Sequence, residues 1–274
     1  MADAPAFDLD AYLARIGYDG PREPTLATLR ALHVLHPDAI PYENLTPLMG
    51  DPVPLGLDAL QAKLIAGGRG GYCYEQNGVF KAALQALGFK ITPLAARVRW
   101  NMPPEAPLRP RTHMLLLVDL PEGPYIADVG FGGLAITAPL RLEPHTPQQT
   151  PHERFRLTPI EAGLFELMIE LGPGDWRVLY RFDLTPQLDV DYEQMNWFSA
   201  CHPSSLFVAN LMAARAGPHG RMTLSNTQFT MRPKGRPVIE RTLTSMDEIR
   251  SVLTEHFGLT LPGGLDRIGP KLGL

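Results

Sequence analysis

The chain reads Arg69-Gly70-Gly71-Tyr72-Cys73-Tyr74-Glu75-Gln76-Asn77 at the point where a glycine-rich loop turns into a helix. The glycines of the loop allow tight backbone conformations, and the apolar residues that follow recur at helical spacing until Gly88. Cys73 is therefore predicted to lie in the first turn of a helix. Unpaired N–H groups and the positive end of the helix dipole stabilise a thiolate there, so we expect Cys73 to be a nucleophile.

An imidazole and a carboxylate are predicted to meet on two strands further along the chain. Residues 113–120 and 125–130 read as strands joined by a turn. An even loop length between antiparallel strands places Leu115 opposite Asp128, and His113 is then a diagonal neighbour of Asp128 on the same face. A thiol, an imidazole that takes its proton and a carboxylate that orients the imidazole are the groups that acyl transfer through a thioester requires.

Each of these three residues alone also has an ordinary structural explanation. A lone cysteine is commonly buried and inert, a strand histidine is commonly half exposed, and an aspartate at a strand end commonly caps a turn. The combination in one chain carries the prediction of a catalytic triad formed by Cys73, His113 and Asp128.

Other stretches of the sequence accompany the three residues. They are Leu9-Asp10-Ala11-Tyr12-Leu13-Ala14-Arg15-Ile16-Gly17, Ile40-Pro41-Tyr42-Glu43-Asn44-Leu45, Thr112-His113, Asp128-Val129-Gly130-Phe131-Gly132, Asn196-Trp197-Phe198 and His202-Pro203-Ser204. With the run around Cys73 they extend over most of the chain, and together they resemble the arylamine N-acetyltransferases. Three positions depart from that family: Tyr42 and Tyr74 stand where its members often have Phe, and Cys201 stands where a small hydroxyl residue is expected.

The resemblance implies an α+β protein with a papain-like cysteine core in three parts. Residues 1–89 would form a helical bundle that carries the cysteine. Residues 90–200 would form an antiparallel β-barrel that carries the histidine and the aspartate, and residues 201–274 an α/β lid over the site. The pattern of apolar residues independently predicts helices in the first third and strands from Lys90 onward.

Local signals predict several element boundaries. Asp8 is expected to cap a helix that ends at Gly17, and Ser245 with Glu248 is expected to form a capping box for a late helix. The stretch 222–231 reads as strand, and the proline-rich stretch 139–151 reads as a surface connection.

The resemblance also assigns substrate contacts. It implies that the acceptor pocket is lined by Val98, Thr112, Phe131 and Phe207, and that the acyl donor contacts the backbone of Gly130, Gly132 and Gly133. From the residues alone, a plain strand-end turn and ordinary core positions are the alternative explanations.

Charged residues around the predicted site are open to two interpretations. The resemblance suggests that Glu43 and Arg69 form a buried ion pair that steadies the cysteine loop, whereas the alternative is two solvated charges of little energetic value. Arg232 and Lys234 are candidates to meet the phosphates of CoA, although basic residues near a turn are commonly just solvated.

Composition excludes several classes of protein. The chain has 274 residues, of which 45% are hydrophobic, so it can bury a sizeable core. A formal net charge of −4 without a basic cluster argues against a nucleic-acid partner, and the apolar runs are too short for a membrane span. The N-terminus lacks the features of a secretion signal, and two cysteines fit a reducing compartment, so we expect a cytoplasmic protein. Scattered histidines and the absence of paired cysteines predict no metal site.

The predicted triad and the resemblance together imply an acetyl-CoA-dependent arylamine N-acetyltransferase that works by a ping-pong mechanism. Acetyl-CoA would be the acyl-donor substrate, with no permanently bound cofactor, and arylamines and arylhydrazines would be the acceptors. Three alternatives stay open: an amide synthase that uses a carrier-bound acyl donor, a thiol hydrolase, and a non-catalytic module that binds CoA or aromatic molecules.

Overall fold

Helices and antiparallel sheets alternate in the computed structural model, which describes residues 6–161 and 163–274. The helices are α1 (Leu9–Ile16), α2 (Leu26–Ala39), α3 (Leu45–Leu48), α4 (Leu57–Leu60), α5 (Cys73–Ala86), α6 (Asp189–Cys201), α7 (Leu206–Ala209), α8 (Met246–Ser251) and α9 (Gly269–Leu272). Segments of π-helix at Gln61–Ala66 and Val252–His256 continue α4 and α8, and short 3-10 turns lie at Gly132–Leu134 and Leu265–Ile268.

The strands of the first sheet are β2 (Lys90–Val98), β3 (His113–Leu120), β4 (Gly123–Ala127), β5 (Leu140–Arg141), β6 (Gln148–Gln149), β7 (Arg154–Glu161), β8 (Leu164–Glu170) and β9 (Trp176–Asp183). Those of the second are β1 (Tyr42–Glu43), β10 (Met212–Gly217), β11 (Gly220–Ser225), β12 (Gln228–Pro233) and β13 (Ile239–Thr242). All the pairs within each sheet are antiparallel among the described residues.

Helix α1 has the two ends that were predicted. It begins where the Asp8 carboxylate accepts a hydrogen bond from the N–H of Ala11, and it ends at Gly17 with φ 69°.

Helix α5 is embedded in the helical part of the molecule. Apolar side chains of the first, second and fifth helices form one cluster: Tyr12, Leu13, Leu29, Leu32, Val79, Phe80, Ala83 and Leu84. Burying a side chain of this size stabilises the fold by about 1.5–3 kcal/mol, so the helix that begins at Cys73 is firmly held.

The first sheet curls into a nearly closed barrel with the strand order β5-β4-β3-β2-β9-β8-β7-β6. Its two edges meet where the side-chain amide of Gln148 bonds both the N–H and the carbonyl of Arg141, at 2.8 Å each. The stretch 139–151, predicted as a surface connection, also contains two short strands, which supply both edges of the sheet. The barrel interior is filled by apolar residues that include Leu94, Leu115, Phe155, Leu167 and Phe182.

The second sheet has the order β1-β10-β11-β12-β13 and packs against α8. The stretch 222–231, which was expected to be one strand, is divided between β11 and β12. Asn226 takes a left-handed backbone conformation with φ 51° and reverses the chain between them. The predicted capping box is also wrong in one half. Ser245 accepts from the N–H of Glu248, but the Glu248 carboxylate accepts from Thr244.

This architecture confirms the predicted α+β class with an antiparallel barrel. The expected part boundaries at residues 89 and 200 stay a prediction. Contacts cross both of them: β1 pairs with β10, for example, and α6 contributes Tyr192 and Ala200 to the helical cluster.

Candidate active site

Cys73 is the first residue of α5, as the glycine loop and the helical pattern predicted. Its side chain is buried, and its Sγ lies 3.6 Å from the carbonyl oxygen of Thr112. The start of the helix is capped by Glu75, which accepts from the N–H of Tyr72 at 3.1 Å and from Lys63 at 2.6 Å. Burial raises the pKa of Glu75 above its ordinary value, against the opposing effect of the Lys63 ammonium.

A buried chain of side chains holds the loop before Cys73. The amide nitrogen of Gln76 faces three carbonyl oxygens of the loop and its surroundings, those of Ile40, Pro41 and Gly71. Its amide oxygen accepts from His36 Nε2 at 2.7 Å, and His36 Nδ1 accepts from the hydroxyl of Tyr12 at 2.9 Å. Burial lowers the pKa of His36 to about 3, so the ring is neutral and one nitrogen remains free to accept. The loop is thus fixed by groups in three helices.

His113 and Asp128 meet as the hairpin register predicted. Asp119 pairs with Pro124 in the ladder between β3 and β4, which is the register that an even loop requires. His113 Nε2 donates to Asp128 Oδ2 at 2.7 Å, and both side chains are almost completely buried.

Four donors converge on the carboxylate of Asp128. Besides His113, Oδ2 accepts from the hydroxyl of Tyr180 at 3.0 Å, while Oδ1 accepts from the Asn77 amide and the Gly130 N–H, each at 2.9 Å. Burial alone would raise the pKa of Asp128, but the charge of His113 and the hydrogen bonds from His113, Asn77 and Gly130 lower it below its ordinary value. The carboxylate is therefore ionised at neutral pH.

The same contacts determine the charge of His113. Burial would lower its pKa, but the Asp128 carboxylate and side-chain hydrogen bonds to Asp128 and Cys73 raise it to about 10. His113 is an imidazolium at neutral pH, with Nε2 on Asp128 and Nδ1 left for the Cys73 thiol. A positive charge beside the sulfur favours the thiolate.

Asn77 and Tyr180 contact the site but were not predicted as site residues. Asn77 lies four residues after Cys73, on the same face of α5; its amide also donates to the Met114 carbonyl and accepts from Val129 N–H. That spacing was a usable signal for Asn77. Tyr180 belongs to the distant strand β9, and no local pattern in the sequence marks it.

The predicted acceptor residues lie around these groups at different distances. The ring of Phe131 stands edge-on to His113 with centroids 5.0 Å apart, and Thr112 contacts the Cys73 sulfur through its carbonyl. Val98 pairs with Tyr180 at the end of β2. Phe207 packs edge-on against Tyr72, the residue before Cys73, with 5.3 Å between the ring centroids.

Glycine is required at the turn after Asp128. A Cβ at Gly130 would lie 2.9 Å from the Cα of Cys73, so only glycine lets this turn pack on the start of α5. Gly132 has φ 68° and faces the ring of Tyr42, and a Cβ at Gly133 would lie 2.8 Å from Thr223.

Glu43 and Arg69 form a bidentate contact beneath the cysteine loop. Nε and Nη2 of Arg69 lie 2.9 and 2.7 Å from Oε1 of Glu43, which is buried, and Oε2 of Glu43 accepts from the N–H of Leu45 at 2.6 Å. Arg232 and Lys234, by contrast, are exposed at the end of β12.

The proteins that resemble this chain share one family name. A family model described as N-acetyltransferase matches residues 25–265. The arylamine N-acetyltransferase of Escherichia coli (strain K12) is 42% identical over 252 residues, which cover 92% of this chain and 88% of that protein. The structure of Mycobacterium marinum arylamine N-acetyltransferase has a TM-score of 0.92 at 40% identity, covering 97% of this chain and 98% of that one. The chain belongs to the arylamine N-acetyltransferase family.

Membership in the arylamine N-acetyltransferases confirms two predictions, the family and the enzyme class of acyltransferase. The M. marinum protein is also known in complex with CoA, with a TM-score of 0.91, 40% identity and the same coverage of both chains. That complex agrees with CoA chemistry at a substrate site.

The described residues were expected to hold neither a metal site nor a membrane span. Within 6–161 and 163–274, the structure contains no cluster of three or more His, Cys, Asp or Glu side chains that is suited to a metal ion. In the same residues, no helix is both long and apolar enough to cross a membrane.

Proposed function

We propose that this enzyme transfers the acetyl group of acetyl-CoA to arylamines and arylhydrazines through an acetyl-cysteine at Cys73. The observation that carries the proposal is the burial of Cys73 at the start of α5 together with the 2.7 Å pair between His113 and Asp128. The CoA complex of the M. marinum relative supports acetyl-CoA as the donor substrate.

The reaction has two half-reactions with the same triad. The Cys73 thiolate, whose proton is held by His113, attacks the carbonyl carbon of the thioester. As the bond between this carbon and the CoA sulfur breaks, His113 gives its proton to that sulfur, and CoA leaves as the thiol. The amine then attacks the acetyl carbon, His113 accepts a proton from the amine nitrogen, and the bond to Cys73 breaks. Asp128 keeps the imidazolium stabilised and oriented.

Substrate binding is assigned to residues around the triad. We place the aromatic acceptor against Phe131, with Val98, Thr112 and Phe207 around it, and the acyl donor along the backbone of Gly130, Gly132 and Gly133. The edge-on contact of Phe131 with His113 and the missing side chains of the glycine turn support this arrangement. The first N–H groups of α5, which have no partner in the helix, would bind the oxyanion.

Four charged residues outside the triad also have proposed roles, and the free thiol indicates a compartment. The contact of Glu43 with Arg69 would steady the cysteine loop, and Arg232 with Lys234 would meet the phosphates of CoA. Because Cys73 must remain a free thiol, we propose a reducing, cytoplasmic compartment.

Rapid-mixing kinetics with acetyl-CoA alone test the mechanism. We expect a burst of about one equivalent of CoA, followed by slow release, because an acyl-thiol enzyme must protect its intermediate from water. Mass spectrometry should find one acetyl group on the Cys73 peptide, and an added arylamine should remove it and restore turnover.

Other outcomes of the same experiment identify the alternatives. Sustained CoA release without an amine would indicate a hydrolase. Acylation by a carrier-bound substrate but not by acetyl-CoA would indicate an amide synthase. No acylation by any thioester would indicate a binding module.

A further inference from the structure

The main chain of Asp128 is tied to helix α2 by a buried histidine. His33 has no exposed surface, and its Nε2 accepts a hydrogen bond from the N–H of Asp128 at 3.1 Å. This bond lies just beyond the end of β4, where the ladder with β3 stops at the pair of Leu116 and Ala127. Asp128 is therefore the first residue after the strand whose N–H needs a partner from outside the sheet.

The hydrogen bond specifies the protonation state of His33. An N–H donor requires a nitrogen with a free lone pair, so Nε2 is unprotonated and the proton of the neutral ring is on Nδ1. Burial lowers the pKa of His33 to about 4, against a smaller raising effect of Asp128, so the ring is neutral at neutral pH. His33 acts here as an acceptor and not as a charge.

The other ring nitrogen of His33, Nδ1, lowers the stability of the folded protein. Among the described residues, Nδ1 has no hydrogen-bond partner, although it is buried, and the ring packs edge-on against Phe80. An unpaired buried N–H destabilises a protein, and an apolar side chain at this position would avoid it. A side chain that carries this cost while bonding a triad residue is expected where function requires the bond.

We propose that His33 is a positioning residue that fixes the backbone of Asp128 and thereby aims its carboxylate at His113. The inference rests on the proposed acetyl transfer. The carboxylate is also held by Asn77, Tyr180 and Gly130, but each of these bonds the side chain. His33 instead accepts from the main-chain N–H. It therefore fixes the backbone from which the Asp128 side chain extends.

Three variants test this role: His33→Phe removes the acceptor, His33→Gln offers an amide oxygen in its place, and Leu32→Ala is the control. Leu32 is fully buried in the same helix and is not part of the triad contacts. The measurements are the thermal unfolding temperature, the rate of Cys73 alkylation by iodoacetamide between pH ~5 and ~10, and kcat and KM for acetyl transfer.

We expect His33→Phe to lower kcat about tenfold with little change in KM. The alkylation profile should also move toward that of a free thiol, because the Asp128 carboxylate is no longer held in the orientation that faces His113. His33→Gln should recover most of both. Leu32→Ala should lower the unfolding temperature and leave the alkylation profile unchanged.

An unchanged profile and kcat in His33→Phe would overturn the proposal. So would equal losses in Leu32→Ala and His33→Phe, since the effect would then follow stability alone. If the wild type transfers no acetyl group, the proposed function fails, while the alkylation profiles still decide the role of His33.

Discussion

The two thiols of this chain lie at opposite ends of two helices. Cys73 is the first residue of α5, is buried, and has the imidazolium of His113 beside it. Cys201 is the last residue of α6 and is exposed. The start of a helix favours an anion and its end disfavours one, so the same side chain meets opposite electrostatic conditions.

The two cysteines also differ in how firmly the polar groups around them are held. The polar groups around Cys73 are themselves buried and bonded, from Glu75 in the first turn to Asn77 in the next. The end of α6 is followed by His202, whose side chain bonds Ser204, two residues away. A reactive cysteine is therefore defined by the groups that are held around it, and variants of those groups should affect Cys73 and Cys201 differently.

The largest expected effect comes from removing the thiols one at a time. Cys73→Ala should lower acetyl transfer by about a thousandfold or more and abolish rapid labelling by iodoacetamide, because the nucleophile is lost. Cys201→Ala, the matched control, should leave both nearly intact. Steady-state assays and peptide mapping of the labelled protein measure the two effects. Loss of activity only in the Cys201 variant would reverse the assignment.

The second prediction concerns the pH dependence of labelling in His113→Gln. The pKa of His113 is raised to about 10, so the imidazolium that activates Cys73 is present through the neutral range and is lost as the pH rises through that value. In the wild type, Cys73 alkylation should therefore stay fast well below pH ~8. In the variant it should follow the curve of a free thiol.

Cys201 is the internal control for this experiment, because its labelling should follow one curve in both proteins. Mass spectrometry of the two cysteine peptides gives both rates from one sample. A wild-type Cys73 curve identical to that of free glutathione would contradict the activated pair.

Asn77 provides the third prediction. Asn77→Ala should destabilise the protein by about 2–3 kcal/mol, since it leaves the Val129 N–H and the Met114 carbonyl unpaired in the interior. It should also slow Cys73 alkylation, because the Asp128 carboxylate loses a donor. Chemical denaturation and the alkylation rate measure both.

The control is Gln194→Ala at an exposed position of α6, which should change stability by less than about 0.5 kcal/mol and leave both cysteine rates unchanged. A neutral Asn77→Ala would show that the buried groups find other partners.

The parts of the site that were predictable depend on short-range rules. Cys73 was predicted at a helix start because glycine loops and apolar spacing are local signals. The meeting of His113 with Asp128 followed from the parity of one hairpin loop, which preserves the face of each side chain.

The parts that were not predictable depend on contacts between distant segments. Tyr180 reaches Asp128 only because β9 pairs with β2, and His33 reaches it from α2. The division of 222–231 was missed because its turn, at Asn226, has no Gly or Pro. The barrel edges around Gln148 have two residues each, too few for a detectable alternation.

The smallest expected effect is at Phe131, whose ring lies beside His113 and is only partly buried. Phe131→Ala should lower kcat/KM for bulky arylamines by up to about tenfold, the equivalent of an aromatic pair of ~1.4 kcal/mol, and leave acetylation of Cys73 by acetyl-CoA largely unchanged. Only the second half-reaction offers a ring to stack on. Phe131→Leu separates ring from volume: it restores packing on His113, so the acceptor defect should persist if stacking is its cause. The CoA burst and the rate of deacetylation by an arylamine measure the two half-reactions. Equal losses in both, recovered by leucine, would make Phe131 a packing residue of the triad and remove it from the acceptor site, and the difference between the two thiols would then depend on this ring as well.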